Sequence, residues 1–181
     1  MAPPDLGDRL LRQGFIHAMN EPGMALELAP WTRKGRDWEP SLEVLPVLSP
    51  TELGTWGETL SKGFGSGPHE AHWVANMYGR LGYGPGTPWR HYLARQDGQP
   101  VGTATMFFDG DVAGIYFVFT LPSMRGRGIG TAIMEAILTD AKAEGMRLAV
   151  LTSSTVGTPL YRRLGFTDCC TIGIYEYPEA S

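Results

Sequence analysis

The spacing of apolar positions changes character along this chain, and each change predicts an element. Leu42 to Leu48 alternates as a strand does. Ser49-Pro50-Thr51-Glu52 then places a hydroxyl, a proline and a carboxylate as a capping box requires, predicting a helix that runs to about Phe64. After Gly63-Phe64-Gly65-Ser66-Gly67-Pro68, a second helix is expected from His69 to about Leu81. Trp89–Arg95, Val101–Phe108 and Val112–Thr120 are apolar runs of strand length. They are separated by Gln96-Asp97-Gly98-Gln99 and by Asp109-Gly110, which are hairpin turns. The middle of the chain therefore reads as an antiparallel meander.

From Gly128 to Glu144 the period becomes helical, with Ile129, Ile133, Ala136, Ile137 and Ala141 on one stripe and Gly145 as the stop. Arg147–Thr152 is an apolar run suited to a buried strand. Strand, helix and strand in that order predict a parallel crossover. Thr158-Pro159 opens a short helix that Gly165 ends, and Thr171–Tyr177 reads as a last strand. The N-terminal piece predicts a short helix over Asp8–Gln13, then short strands at Phe15–His17 and Met24–Leu28. Residues 30–41 are polar and punctuated, as a linker is. The fold class is α/β with a mixed sheet: a meander first, a parallel crossover second. Two regions are expected, an extension over 1–41 and a domain over 42–181.

Composition narrows the function. The chain has 181 residues, about the size of one domain. At 43% apolar it can build a core, so disorder is excluded. Its net charge of −4 argues against a nucleic-acid partner. Cys169 and Cys170 are adjacent and are the only cysteines, too few for a disulfide scaffold or a thiolate zinc site. No metal site is expected. No apolar run reaches the ~18 residues of a membrane span, and no basic-then-apolar leader is visible at the N-terminus. A reducing cytoplasm is the expected location, with no membrane partner.

The sharpest chemical feature is Arg125-Gly126-Arg127-Gly128-Ile129-Gly130, set between a strand and a helix. Such a turn presents unpartnered backbone N–H groups at the positive end of a helix dipole, which is an anion site. Glycines let the backbone approach a phosphate, and Arg125 and Arg127 can add charged hydrogen bonds. The loop lacks Gly-Lys-Ser/Thr, so it is not a P-loop. Thr131 stands where a dinucleotide loop needs its third glycine.

These residues resemble the acetyl-CoA motif of the GNAT N-acetyltransferase superfamily, Gln/Arg-x-x-Gly-x-Gly/Ala. A second resemblance is Tyr161-Arg162-Arg163-Leu164-Gly165-Phe166, a tyrosine four residues before Gly-Phe. The two motifs lie 31 residues apart with one helix and one strand between them, and the likeness spans about Leu42 to Tyr177. It implies acetyl-CoA as cosubstrate and transfer of its acetyl group to a primary amine of a small molecule or protein. It also implies that Val112–Thr120 and Arg147–Thr152 splay apart. Pantetheine would then pair with backbone near Phe119 and Thr120, and the pyrophosphate would rest on Arg125, Gly126, Arg127, Gly128, Ile129 and Gly130. An N–H near Phe119 would donate to the oxyanion. Tyr161 matches the family's general acid, and as a phenol it keeps its proton at neutral pH. A cofactor contact, or plain packing on the helix, remains open for it.

The strand Val112–Thr120 carries no acid, although many family members place a glutamate there. The amine then sheds its proton through water, or a base comes from elsewhere. His69, Glu70 and His72 are candidates, or they simply solvate a helix start. Ser154 is a candidate cofactor contact, and with Ser153 it is equally suited to capping a turn. Tyr116, Phe117, Phe119, Trp73, Met77 and Tyr78 either wall the acceptor pocket or pack in the core, and His17 and His91 read as structural. A non-catalytic acyl-CoA-binding module and a partner-binding domain without cofactor are the competing functions. Finally, Arg12-Gln13-Gly14-Phe15 echoes Arg163-Leu164-Gly165-Phe166, with Leu10 at the place of Tyr161. This resembles tandem members of the superfamily, in which a degenerate unit precedes an active one. The strand Met24–Leu28 would then need an edge to pair with, one that a homodimer supplies.

Overall fold

The computed structural model describes residues 3–33, 38–64 and 67–178. Residues 34–37 of the expected linker and Gly65-Ser66 of the expected loop lie outside the described residues. Within these bounds the chain forms seven strands and five α-helices, and it divides into two compact units.

The larger unit runs from Leu26 to Leu151. In chain order it holds β2 (Leu42–Pro46), α2 (Pro50–Phe64), α3 (Pro68–Leu81), β3 (Trp89–Gln96), β4 (Gln99–Asp109), β5 (Val112–Thr120), α4 (Ile129–Ala143) and most of β6 (Leu148–Thr152). The strands lie in the order β2-β3-β4-β5-β6. All neighbours are antiparallel except β5 and β6, which are parallel and joined through α4. The meander and the crossover are thus as expected. The capping box forms: Glu52 Oε2 accepts from the Ser49 amide at 3.1 Å, and Ser49 Oγ accepts from the Glu52 amide at 3.2 Å. Asp97 and Gly98 both take positive φ, 51° and 75°, as a type I′ hairpin turn demands.

Val101 to Met106 of β4 are all buried, so both faces of that strand are covered. Val47, Leu53, Trp56, Leu60, Tyr78 and Leu93 form a core cluster in which α2 and α3 meet the meander. From α4, Ile133, Met134, Ile137, Leu138 and Ala141 are fully buried, while Ala136 of the expected stripe is only half-buried. The segment read as a linker is anchored on α4. Trp31 is buried, and Lys142 Nζ donates to the Ala29 and Trp31 carbonyls at 2.9 and 2.7 Å.

The smaller unit combines residues up to Ala25 with those from Thr152 on. It contains α1 (Leu6–Arg12), most of β1 (Ile16–Glu27), α5 (Thr158–Leu164) and β7 (Thr167–Glu176). Two expectations change here. The short strands expected on either side of Ala18–Gly23 are one continuous β1, because bulges at His17/Met19 and at Gly23/Met24, next to Pro22-Gly23, take up the misfit without breaking the ladder. And β1 finds its edge within the chain: it pairs antiparallel with β7, which begins four residues earlier than expected. The echo noted in the sequence carries into the structure. Each motif closes a seven-residue helix at a positive-φ glycine, Gly14 (86°) or Gly165 (106°), and each leads into a strand of the same pair.

Candidate functional site

β5 holds the geometry on which the larger unit's site depends. It pairs with β6 only through Val112, Ala113 and Gly114. Beyond Gly114, no described residue of β6 pairs with β5. The expected splay is therefore present. Its cause sits one turn of ladder further on. Tyr116 and Phe119 oppose Thr105 and Thr103, so Phe117 and Val118 together face Ala104 alone. This is a β-bulge, and Phe117 takes φ 53°, a left-handed conformation uncommon for a bulky residue. A bulge strands polar backbone groups, and side chains satisfy them here. Trp56 Nε1 donates to the Ala104 carbonyl at 3.3 Å, and Thr103 Oγ1 donates to the Phe117 carbonyl at 2.9 Å. Past the bulge, Phe119 lies against α2 so closely that a Cβ on Gly63 would sit 2.5 Å from its ring.

The turn after β5 is built as an anion cradle. Gly126 and Gly128 have φ 79° and 84°, which side-chain-bearing residues rarely adopt. Gly128 is the N-cap of α4, and the first helical bond runs from the Ala132 amide to its carbonyl at 3.0 Å. The amides of Ile129, Gly130 and Thr131 thus have no partner earlier in the helix and point out along its positive dipole end. Arg125 and Arg127 are exposed, and Arg125 Nε donates to the Thr120 carbonyl at 3.3 Å, tying the cradle to the strand end. One participant has no motif to announce it. The Trp38 ring covers Gly128, so that a Cβ there would lie 3.0 Å from Cζ3.

Next to the bulge a cleft of about 190 Å³ opens where α2 and α3 cross, lined by Gly57, Leu60, Ser61, Glu70, Ala71, Val74 and Phe117. Of the three base candidates, only Glu70 lines it; His69 and His72 are exposed elsewhere on α3. Phe117 is a wall of the cleft. Tyr78 is core, Met77 is packed against that core, Trp73 is exposed, and Tyr116 folds back over Gly114. His91 is structural as expected: it is fully buried, packs tilted on Trp56 and edge-on to Tyr78 with centroids 4.3 Å from each, and shares a 2.8 Å hydrogen bond with Thr105 Oγ1. Burial holds its imidazole pKa down at about 4.

Tyr161 and Ser154 belong to the smaller unit. Tyr161 is buried, 8% exposed, and desolvation pushes its phenol up to about 12. Its ring meets Phe166 edge-on at 5.9 Å and covers Gly157, where a Cβ would lie 2.8 Å from Cε2. Ser154 Oγ accepts from the Gly157 amide at 3.3 Å, and Ser153 Oγ donates to the Ser154 carbonyl at 2.9 Å. Both serines therefore shape the turn that positions Tyr161. Exposed His17 shares a 2.9 Å hydrogen bond with Asn20 and meets Tyr175 edge-on.

Comparison with known proteins agrees with this geometry. The model of the Acetyltransferase (GNAT) family matches residues 56–166, more than half of the chain, and the chain belongs to that family. Among solved structures it is similar to a GCN5-related N-acetyltransferase from Kribbella flavida, with TM-score 0.71 and 24% identity over 98% of this chain and 65% of that one. It is similar to another from Sphaerobacter thermophilus, with TM-score 0.72 and 21% identity over 93% of this chain and 55% of that one. A predicted acetyltransferase with acetyl-CoA from Clostridium acetobutylicum matches at TM-score 0.59 and 17% identity, over 71% of this chain and 91% of that one. The chain thus spans less than two thirds of the length of the first two. At these identities the likeness is one of fold. No described helix is long and apolar enough to cross a membrane.

Proposed function

We propose that this protein transfers the acetyl group of acetyl-CoA to a primary amine. The observation that carries this reading is the cradle from Arg125 to Gly130 standing at the unpaired end of β5. A pyrophosphate fits it: left-handed glycines, first-turn amides and two exposed guanidinium groups all favour a diphosphate. The stretch of β5 around Phe119 and Thr120 offers a strand edge of the kind an amide-bearing pantetheine arm pairs with. Bound there, acetyl-CoA supplies an acetyl group activated as a thioester.

The work left to the chain is to hold the amine, remove its proton and support the departing sulfur. The amine must be neutral to attack the thioester carbon. As the C–N bond forms, the C–S bond breaks and its electron pair leaves on sulfur. The amide nitrogen gives up one proton and the sulfur gains one, so the reaction balances. Glu70 is our candidate to receive the amine's proton. An amide of β5 near Phe119 is our candidate oxyanion donor. Tyr161 is assigned to the leaving sulfur by the family motif. Its raised pKa matters to how it acts. Full transfer from a phenol near 12 to a thiolate of ordinary pKa ~8.5 is uphill by about 5 kcal/mol. Tyr161 therefore serves mainly as a hydrogen-bond donor to developing thiolate charge. Ser154, which shapes the turn beneath Tyr161, is a cofactor contact in the same reading.

We read residues 42–181 as the domain that carries this activity and residues 1–41 as an extension. The paired helix–glycine–strand repeats support deriving residues 5–28 from the tail of a preceding unit of the same family, whose Leu10 stands where the acid would be. The test is thiol release from acetyl-CoA in the presence of a panel of amines. Release that requires both acetyl-CoA and an amine supports the proposal. Acetyl-CoA binding without amine-dependent release would reduce the protein to an acyl-CoA-binding module.

A further inference from the structure

The cleft beside Phe117 has a chemistry that selects its occupant. Leu60, Ala71, Val74 and the Phe117 ring make it apolar. Among the described residues it has two polar side chains. The Ser61 hydroxyl is engaged, donating to the Gly67 carbonyl at 2.9 Å. Glu70 is the single ionisable residue of the lining among the described residues, in the first turn of α3. The shape is held from outside the cleft. Phe117 is fixed by the bulge and rests edge-on against Trp56 and Tyr78 at 6.0 and 6.5 Å. Gly57 lets the two helices close, since a Cβ there would lie 2.8 Å from the Ala71 carbonyl oxygen.

Size and polarity then discriminate among amines. The cleft measures about 190 Å³, and an engineered apolar cavity of ~150 Å³ in another protein holds benzene. One ring or one branched chain fills it. A polyhydroxylated amine would bury hydroxyls without partners, and a polyamine would bring a second ammonium into an apolar site with no second carboxylate among its described residues. We propose, resting on the acetyl-transfer reading above, that the acceptor is a compact primary amine with an apolar body. Its ring or branched chain lies against Phe117 and Val74, and its ammonium pairs with Glu70.

Two measurements test this. Thiol release at saturating acetyl-CoA is compared for phenethylamine, isoamylamine, spermidine and glucosamine. The expected kcat/KM for the first two is at least tenfold that for the last two. In parallel, phenethylamine and acetyl-CoA are each titrated calorimetrically into wild type and Glu70→Gln. The expected result is phenethylamine binding weakened tenfold or more by Glu70→Gln, with acetyl-CoA affinity within twofold of wild type. Glu70 is exposed, so this variant folds; Val74→Phe, which fills the cleft, is the second probe and is expected to raise the phenethylamine KM at least tenfold. Preference for spermidine or glucosamine with acetyl-CoA still bound would overturn the substrate class and leave acetyl transfer standing. Failure to bind acetyl-CoA would remove the underlying reading instead, and the phenethylamine titration then still reports on the cleft by itself.

Discussion

His91 makes the fold's stability depend on pH in a window that can be worked out in advance. The ring is fully buried between Trp56 and Tyr78, and its Nε2 has no hydrogen-bond partner among the described residues. Protonation would place a charge where burial excludes water. That is the physical content of an imidazole pKa near 4 in the folded chain, against ~6.5 when unfolded. Because the folded value is the lower one, the unfolded state takes up the proton first. Stability is then full above about pH 6.5, falls as the pH drops toward 4, and gains no further slope from this group below that. Between pH 7.5 and 5.0 the unfolded state is favoured about 30-fold, which is about 2 kcal/mol. The assay is urea unfolding of wild type and His91→Gln at both pH values. Glutamine keeps a hydrogen-bonding group toward Thr105 but does not titrate. Carboxylates such as Glu52, held low by the Leu48 amide and Ser49, titrate in both proteins and cancel in the comparison. Wild type is expected to lose about 2 kcal/mol more than the variant. Equal losses would show that His91 has an ordinary pKa, and that the packing described around it is wrong.

Three further outcomes are expected. Trp56→Phe removes the donor to the Ala104 carbonyl at the bulge, and a buried carbonyl left unpartnered costs about 1–3 kcal/mol in urea unfolding. Tyr161→Phe removes one hydrogen bond to a charged sulfur, so kcat should fall about 10- to 100-fold with acetyl-CoA affinity unchanged; an unaltered kcat would take Tyr161 out of the reaction. Gly128→Ala forces a side chain into a left-handed conformation and against Trp38, and calorimetry should show acetyl-CoA affinity lost at least tenfold, with about 1–2 kcal/mol of stability.

What the sequence showed, and what it hid, follows from the range of each interaction. The capping box at Ser49–Glu52, the Asp-Gly hairpins and the glycine turn before α4 are local, and neighbouring residues carry their whole signal. The bulge is not local. Nothing in Gly114–Thr120 marks Phe117 for a positive φ; it is sustained by Trp56 and Thr103, which lie far off in the sequence. Trp38 over Gly128 is hidden for the same reason, since ninety residues separate them. Pro22-Gly23 reads locally as a break, yet β7 pairs across it and bulges take up the misfit. Of the base candidates, all three share a helix start. Only the crossing of α2 and α3 decides that Glu70 and neither histidine lines the cleft.

The central claim is that Arg125 to Gly130 hold a diphosphate belonging to an acyl donor. Calorimetric titration of acetyl-CoA into the full chain tests it most directly. The account predicts saturable one-to-one binding that free CoA competes away. Absence of binding by both would contradict it, and the cradle would then be no more than a tight turn into a helix.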